Sequence, residues 1–252
     1  MKKLILISFF LLIGILDTSA KKKKKGDKPV VVVLTFDDAV LSHFTVVAPI
    51  LKKYGYDATF FVCEFPWKVP SDSLNYMKWN QIKELYKMGF EIGNHTHNHK
   101  SVAKMSPEMI RTEVGYIEDK CKEYGIPKPT SFAYPGNRAD SIPQVVLKEM
   151  GYRFARVGGS KFYDPQSDKA LLIPSYTMGS FKKLKDRAIN ALKLARPGDI
   201  LVLTAHGVPD LAHPDYSTTP EDLITCLDYI KEHNFKVIAM RDLKRYVPKS
   251  KN

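Results

Sequence analysis

Val30-Val31-Val32-Val33-Leu34-Thr35-Phe36-Asp37-Asp38-Ala39 decides how this sequence is read. A short run rich in β-branched residues reads as a strand buried on both faces of a parallel sheet. It ends in two adjacent carboxylates, which packing alone does not explain, because a buried Asp is rare unless it is paired or holds a metal. An Asp pair that merely opens a turn and caps the next helix is the alternative. A second apolar segment, Phe90 to Ile92, weakens that alternative by running into Gly93-Asn94-His95-Thr96-His97-Asn98-His99. One hard carboxylate with two imidazoles is a donor set suited to a hydrolytic zinc-type site with an open position.

Working outward from this strand, Lys2 and Lys3 precede an apolar run from Leu4 to Leu16 and the small residues Ser19 and Ala20. Residues 1–20 therefore read as a secretory signal peptide, since the run falls short of the roughly 20 residues that cross a bilayer. Residues 21–28, Lys21 to Lys25 with Gly26, Asp27 and Lys28, read as a basic disordered tether. The formal net charge is +12, and half of that excess lies in residues 1–28. The remainder shows no basic stripe interleaved with aromatics, so nucleic acid is not an expected partner. An exported protein of the periplasm, envelope or medium is expected, with no membrane span after leader cleavage.

Residues 29–252 contain no long linker and no repeat, which suits one α/β domain. Strand-like runs fall at 30–36, 58–63, 90–93, 131–134, 153–157, 200–204 and 235–239, with helical patterns between them. Ser106-Pro107-Glu108 and Thr219-Pro220-Glu221 are helix starts, each a capping hydroxyl followed by proline and an acid. Weaker helices are expected at 44–54, 81–88, 143–150 and 184–195. About seven parallel strands alternating with helices imply a (β/α) barrel, favoured over an open sheet because every chemical candidate falls at a strand's C-terminal end. Cys63, Cys121 and Cys226 are too widely spaced for a disulfide framework or a zinc knuckle, and burial is expected for Cys121 and Cys226. Cys63 is the one to check for reactivity.

On a helix or tight turn, the four-residue spacing of His95 and His99 can aim both at one ion, with Asp38 as third ligand. His97 is expected to face away. Asp37 is then free to act as general base, and His206, ending the apolar run Leu201 to Ala205 on the same rim, can protonate a leaving amine or alcohol. The cofactor expected is a divalent ion, zinc first, with cobalt, nickel and manganese as alternatives.

Thr35–Ala39, Gly93–His99, Phe132-Ala133-Tyr134-Pro135-Gly136 and the run ending in His206 resemble, in order, the motifs of the polysaccharide deacetylase family, also called NodB-homology or carbohydrate esterase family 4. The resemblance spans Val30 to about Val247. It implies a distorted (β/α) barrel and metal-dependent hydrolysis of N- or O-acetyl groups on a glycan. Carried over by position, it implies Asp37 as base, Asp38, His95 and His99 as metal ligands, and His206 as acid. Gly136 would offer its backbone N–H to the oxyanion, and Tyr134, Pro135 and Leu203 would lie at the substrate. Ala39 stands where the family usually has Gly, and Ala133 where it has the Arg that braces the base. The fourth motif's Asp-Trp is not visible, and Leu203 and His206 are one residue further apart than usual. Arg156, at the end of its own strand, is the candidate to supply the missing guanidinium, with a surface Arg as the bland alternative.

His43 is placed in a loop or first helical turn near the site, and His213 and Tyr216 on a loop, 207–219, where specificity would reside. Trp67 and Tyr76 are stacking candidates for sugar rings, or ordinary packing. Two other functions compete: a C–N hydrolase of a small cyclic imide or amide, and a carbohydrate-binding relative that has lost catalysis.

Overall fold

The computed structural model of the chain describes residues 28–64, 74–180 and 186–248. The leader, nearly all of the tether and Trp67 lie outside them, as does the start of the helix expected from 184. Within them β1 (Val31–Phe36), β2 (Thr59–Val62), β3 (Glu91–Asn94), β4 (Ser131–Ala133), β5 (Phe154–Arg156), β6 (Tyr176–Thr177), β7 (Ile200–Ala205) and β8 (Lys236–Ile238) form one sheet. Its order is β5-β4-β3-β2-β1-β7-β6, and every ladder is parallel. Six helices are interleaved: α1 (Ala48–Tyr54), α2 (Trp79–Lys87), α3 (Pro107–Glu123), α4 (Ser141–Glu149), α5 (Arg187–Leu194) and α6 (Pro220–Glu232).

The sheet is a curled, distorted barrel organised on β1. Val32, Leu34 and Phe36 pack in the layer that includes Leu51 of α1 and Leu223 and Leu227 of α6. The alternate residues Val31 and Val33 join Phe61, Val202, Ile238 and Met240 in a second cluster. Side chains alternate across a strand, so β1 is buried on both faces. One of its edges is divided: Val31 to Val33 pair with β8, while Thr35 and Phe36 pair with β2. This wedge is one source of the distortion.

Both strong helix starts form as read. The Ser106 hydroxyl accepts from Met109 N–H at 3.3 Å, and the Thr219 hydroxyl from Asp222 N–H at 3.1 Å. The seven expected runs are all strands, and β6 is an addition the sequence did not signal. Residues 170–177 lie along β5, with Ile173 donating to the Ala155 carbonyl at 2.8 Å, and then reach β7 through β6. That segment bridges β5 and β7. Cys121 and Cys226 are buried in the core as expected. Cys63 is buried too, and burial together with the nearby carboxylates of Asp38, Asp37 and Glu64 pushes its thiol well above the ordinary value. It is therefore not a nucleophilic thiolate.

Candidate metal centre and active site

The C-terminal ends of β1, β3, β4, β5 and β7 open on one cavity of ≈ 380 Å³. Asp37, Asp38, His95, His99, Tyr134, Gly136, Arg156, His206, His213 and Tyr216 all line it. Parallel strands bring these residues together because each chain segment turns away at the same end of the barrel.

Asp37 and Asp38 follow β1 directly, and Asp38 (φ 78°) and Ala39 (φ 52°) are both left-handed. Such a backbone suits glycine, so Ala39 holds a conformation that costs its Cβ strain. His95 follows β3. The segment after it is neither helix nor regular turn, since Thr96 (φ 67°) and His99 (φ 51°) are left-handed as well. It is held from both ends instead. Asn94 Oδ1 accepts from Thr96 N–H at 2.9 Å, while the Glu113 carbonyl accepts from His97 N–H at 2.8 Å. His97 stacks on Tyr116, with 3.5 Å between ring centroids, and so faces away from Asp38.

One ligand atom from each of Asp38, His95 and His99 falls within 4.8 Å of the others. The Nε2 atoms of His95 and His99 are each 3.3 Å from Asp38 Oδ1. Donors about 2.1 Å from a tetrahedral ion stand roughly 3.4 Å apart, so this spacing fits a divalent cation. The His95 ring is fixed by Nδ1 at 2.8 Å from the Ala133 carbonyl, which can only accept. Nδ1 must therefore donate, and a neutral ring presents the Nε2 lone pair to a carboxylate oxygen. Two acceptors in that position repel unless a proton or a cation lies between them. Asp38 Oδ1 is indeed buried without a hydrogen bond among the described residues. Burial alone would raise the Asp38 carboxyl, but contact with His95 and the charges of His206, His95 and His99 hold it well below the usual carboxylate range. Burial and the neighbouring His95 charge push His99 down to about 4, favouring the neutral, ligating form. Burial opposes a charge on His95, but Asp37 and Asp38 outweigh it and raise that imidazole.

Asp37 and Arg156 are 3% and 2% exposed, and Arg156 Nη2 pairs with Asp37 Oδ2. The two Nη groups do not both bind this carboxylate. Nη1 goes to Asn137 Oδ1 at 3.2 Å, and the guanidinium lies 5.7 Å from the centroid of the Phe61 ring. Arg156 is thereby set by three neighbours. Gly93 makes this packing feasible, because a Cβ there would lie 2.4 Å from the Phe61 ring. Asp37 Oδ1 is buried with no hydrogen-bond partner among the described residues.

His206 Nε2 is 3.7 Å from Asp38 Oδ2, and Tyr216 lies 5.4 Å from the His206 ring between centroids. Gly136 (φ 65°) lines the cavity from the turn after β4. Leu203 packs in the core cluster around β1 and Pro135 is buried in the turn after β4, and neither lines the cavity. His43 and Tyr76 are also buried outside it, the backbone of Tyr76 forming a bridge to Val40. Asn137, Thr177 and Thr204 line the cavity without having been singled out. Asn137 alone carried a signal, as the residue after Pro135-Gly136.

A family model described as polysaccharide deacetylase matches residues 23–155. A peptidoglycan-N-acetylglucosamine deacetylase of Bacillus cereus is 27% identical over 217 residues, covering 86% of this chain and 89% of that protein. Among solved structures, Bacillus subtilis PdaA, a family 4 carbohydrate esterase, superposes with a TM-score of 0.61 at 20% identity, covering 86% of this chain and 82% of that one. A family 4 acetyl xylan esterase from Clostridium thermocellum, solved with a cobalt ion, gives 0.59 at 22% identity over 86% of this chain and 93% of that one. The structural likenesses speak for the fold, whereas the family match spans more than half of the sequence and takes in the strands that carry Asp37, Asp38, His95, His99 and Gly136. On that ground the chain belongs to the polysaccharide deacetylase family, that of the NodB-homology domains and carbohydrate esterase family 4.

Proposed function

We propose that the chain is an exported, metal-dependent deacetylase that hydrolyses acetyl groups on a glycan, with N-acetylglucosamine units of peptidoglycan as the first substrate class to test. The observation that carries this reading is the convergence of Asp38, His95 and His99 beside a buried Asp37–Arg156 pair in one cavity. The substrate class follows from the Bacillus cereus relative, matched over nearly its whole length. Asp38, His95 and His99 would hold a divalent ion, which when bound would supply a Lewis acid for the acetyl carbonyl and the attacking water.

The chain's own residues do the rest. Arg156 occupies one oxygen of Asp37, leaving Oδ1 as the buried acceptor for the proton of the attacking water. The Gly136 N–H faces the oxyanion that develops as the C–O bond forms. His206 gives a proton to the amine nitrogen as the C–N bond breaks, so that acetate and a free amine leave. Tyr134, His213 and Tyr216 wall the space around the sugar.

No helix among the described residues is long and apolar enough to cross a membrane. Export is proposed from the leader alone, and the N-terminal residue of the protein recovered from culture tests it. The activity is tested by acetate release from N-acetylglucosamine oligomers and from peptidoglycan, with and without chelator. Chelator-sensitive release is expected, and no acetate release from any acetylated glycan would leave a hydrolase of small cyclic imides or amides, or a binding protein. His95→Ala and His99→Ala should each lower bound metal sharply, and full occupancy in both would remove the ligand assignment.

A further inference from the structure

The turn that carries His206 is held from behind by the segment that carries Asp37 and Asp38. After its two left-handed residues the chain enters a single π-helical turn, His43–Val47, with Ser42 and His43 both buried. His43 Nε2 lies 3.0 Å from the His206 carbonyl oxygen, and the Ser42 hydroxyl accepts from Val208 N–H at 2.8 Å. The peptide groups on either side of Gly207 are therefore gripped by two consecutive side chains more than 160 residues away in sequence. Gly207 leaves no slack between them: a Cβ there would lie 2.6 Å from Asp210 Cα.

The chemistry of His43 shows what this contact is for. A carbonyl oxygen only accepts, so Nε2 carries the proton. Burial pushes the imidazole down to about 4, so the ring is neutral and Nδ1 holds a lone pair. That nitrogen is buried without a hydrogen-bond partner among the described residues. The ring otherwise packs on Phe36 and Phe60, at 5.6 and 5.5 Å between centroids. An apolar side chain would fill such a place without the penalty of an orphaned nitrogen. The single bond to His206 is what distinguishes His43 from a core Leu.

We infer that Ser42 and His43 are positioning residues that fix the backbone from which the His206 ring reaches the cavity. The inference rests on the proposed role of His206 as general acid. It ties both ends of the proton traffic to one segment: Asp37 takes a proton at its start, and Ser42–His43 set the group that gives one.

The test compares His43→Leu, His43→Gln and Ser42→Ala, with His206→Ala as reference, in the zinc-loaded full chain. Acetate release from N-acetylglucosamine oligomers gives kcat and KM, and metal content and unfolding midpoint are measured alongside. His43→Leu should lower kcat on the order of 10- to 10²-fold, the scale of a small misplacement, with KM and bound zinc unchanged. His43→Gln, whose amide N–H can still reach the carbonyl, should recover most of the loss, and Ser42→Ala should show a smaller fall in kcat alone. If His206→Ala is inactive while His43→Leu keeps parental kcat, the positioning role fails and the acid stands. Undiminished turnover in His206→Ala removes the acid and the inference together. A loss in His43→Leu that Gln does not rescue, or that comes with lost zinc, marks a merely structural residue and overturns the proposal. Should His43→Leu not fold, Ser42→Ala decides, and parental kcat there overturns it.

Discussion

Replacing Arg156 separates what its charge does from what its shape does. The side chain is 2% exposed and makes three contacts: Nη2 with Asp37, Nη1 with Asn137, and its plane against Phe61. Arg156→Ala leaves the Asp37 carboxylate buried without a partner, and breaking a buried pair in this way costs about 3–5 kcal/mol. For a domain of this size that corresponds to a fall in Tm on the order of 10 °C. Arg156→Lys keeps the charge and should keep much of the stability. It cannot reach Asp37 and Asn137 at once, because an ammonium is a point donor rather than a planar fork. Asp37 then loses its fixed direction in both variants, and kcat should fall on the order of 10²-fold in each. No ligand atom of the proposed metal site belongs to Arg156, so bound metal should stay at the parental level in both. Thermal unfolding, acetate release at saturating substrate and metal content measure the three effects separately. Parental kcat in Arg156→Ala would show that Asp37 needs no brace. Full recovery of kcat in Arg156→Lys would show that the charge suffices and that geometry does not matter.

Asp37→Asn should keep its metal while losing on the order of 10²- to 10⁴-fold in turnover, and unchanged acetate release would place the base elsewhere. Ala39→Gly should raise stability by about 1 kcal/mol, because residue 39 is left-handed at φ 52°; chemical denaturation of the metal-free protein measures it, and a loss of stability would refute the strain. The pH dependence of stability should carry a signature of His43. Its imidazole is depressed from 6.5 to about 4 by burial, against the opposing charges of Asp38, Asp37 and Asp210. The unfolded chain thus binds a proton in that interval that the folded chain does not, so the stability present above pH 6.5 is lost as pH falls toward about 4. The slope due to this residue is about 1.4 kcal/mol per pH unit, and His43→Gln should flatten the curve by that amount between the two values. Identical slopes in parent and variant would exclude it.

What the sequence made legible is what local chemistry determines. β1 could be read because a run such as Val30 to Phe36 has few other uses, and α3 and α6 because Ser106 and Thr219 are followed by proline and acids. The site followed from strand ends: once Asp38, His95 and His206 each close an apolar run, a parallel barrel gathers them on one rim. Arg156 was legible for the same reason, as a charge with no place in a buried strand except at its end. What stayed hidden depends on contacts between distant segments. The two residues of β6 carry no periodicity and are strand only because residues 170–177 span the gap from β5 to β7. The helix or turn suggested by the spacing of His95 and His99 yields to two left-handed residues that Asn94 and Glu113 hold in place.

The splitting of the Arg156 fork between Asp37 and Asn137, and the bond from His43 to the His206 carbonyl, belong to the same class. In each, a polar side chain of ordinary local character acquires its role from a partner 19 to 163 residues away. The consequence for the chemistry is specific. The groups proposed to handle protons and metal sit where the strands end, and could be found one by one. The groups that aim them, Phe61 for Arg156 and Ser42 and His43 for His206, sit one layer behind, where only the folded barrel brings them into contact. Substitutions in that rear layer should therefore change kcat while leaving metal content alone, which distinguishes it from the front layer residue by residue.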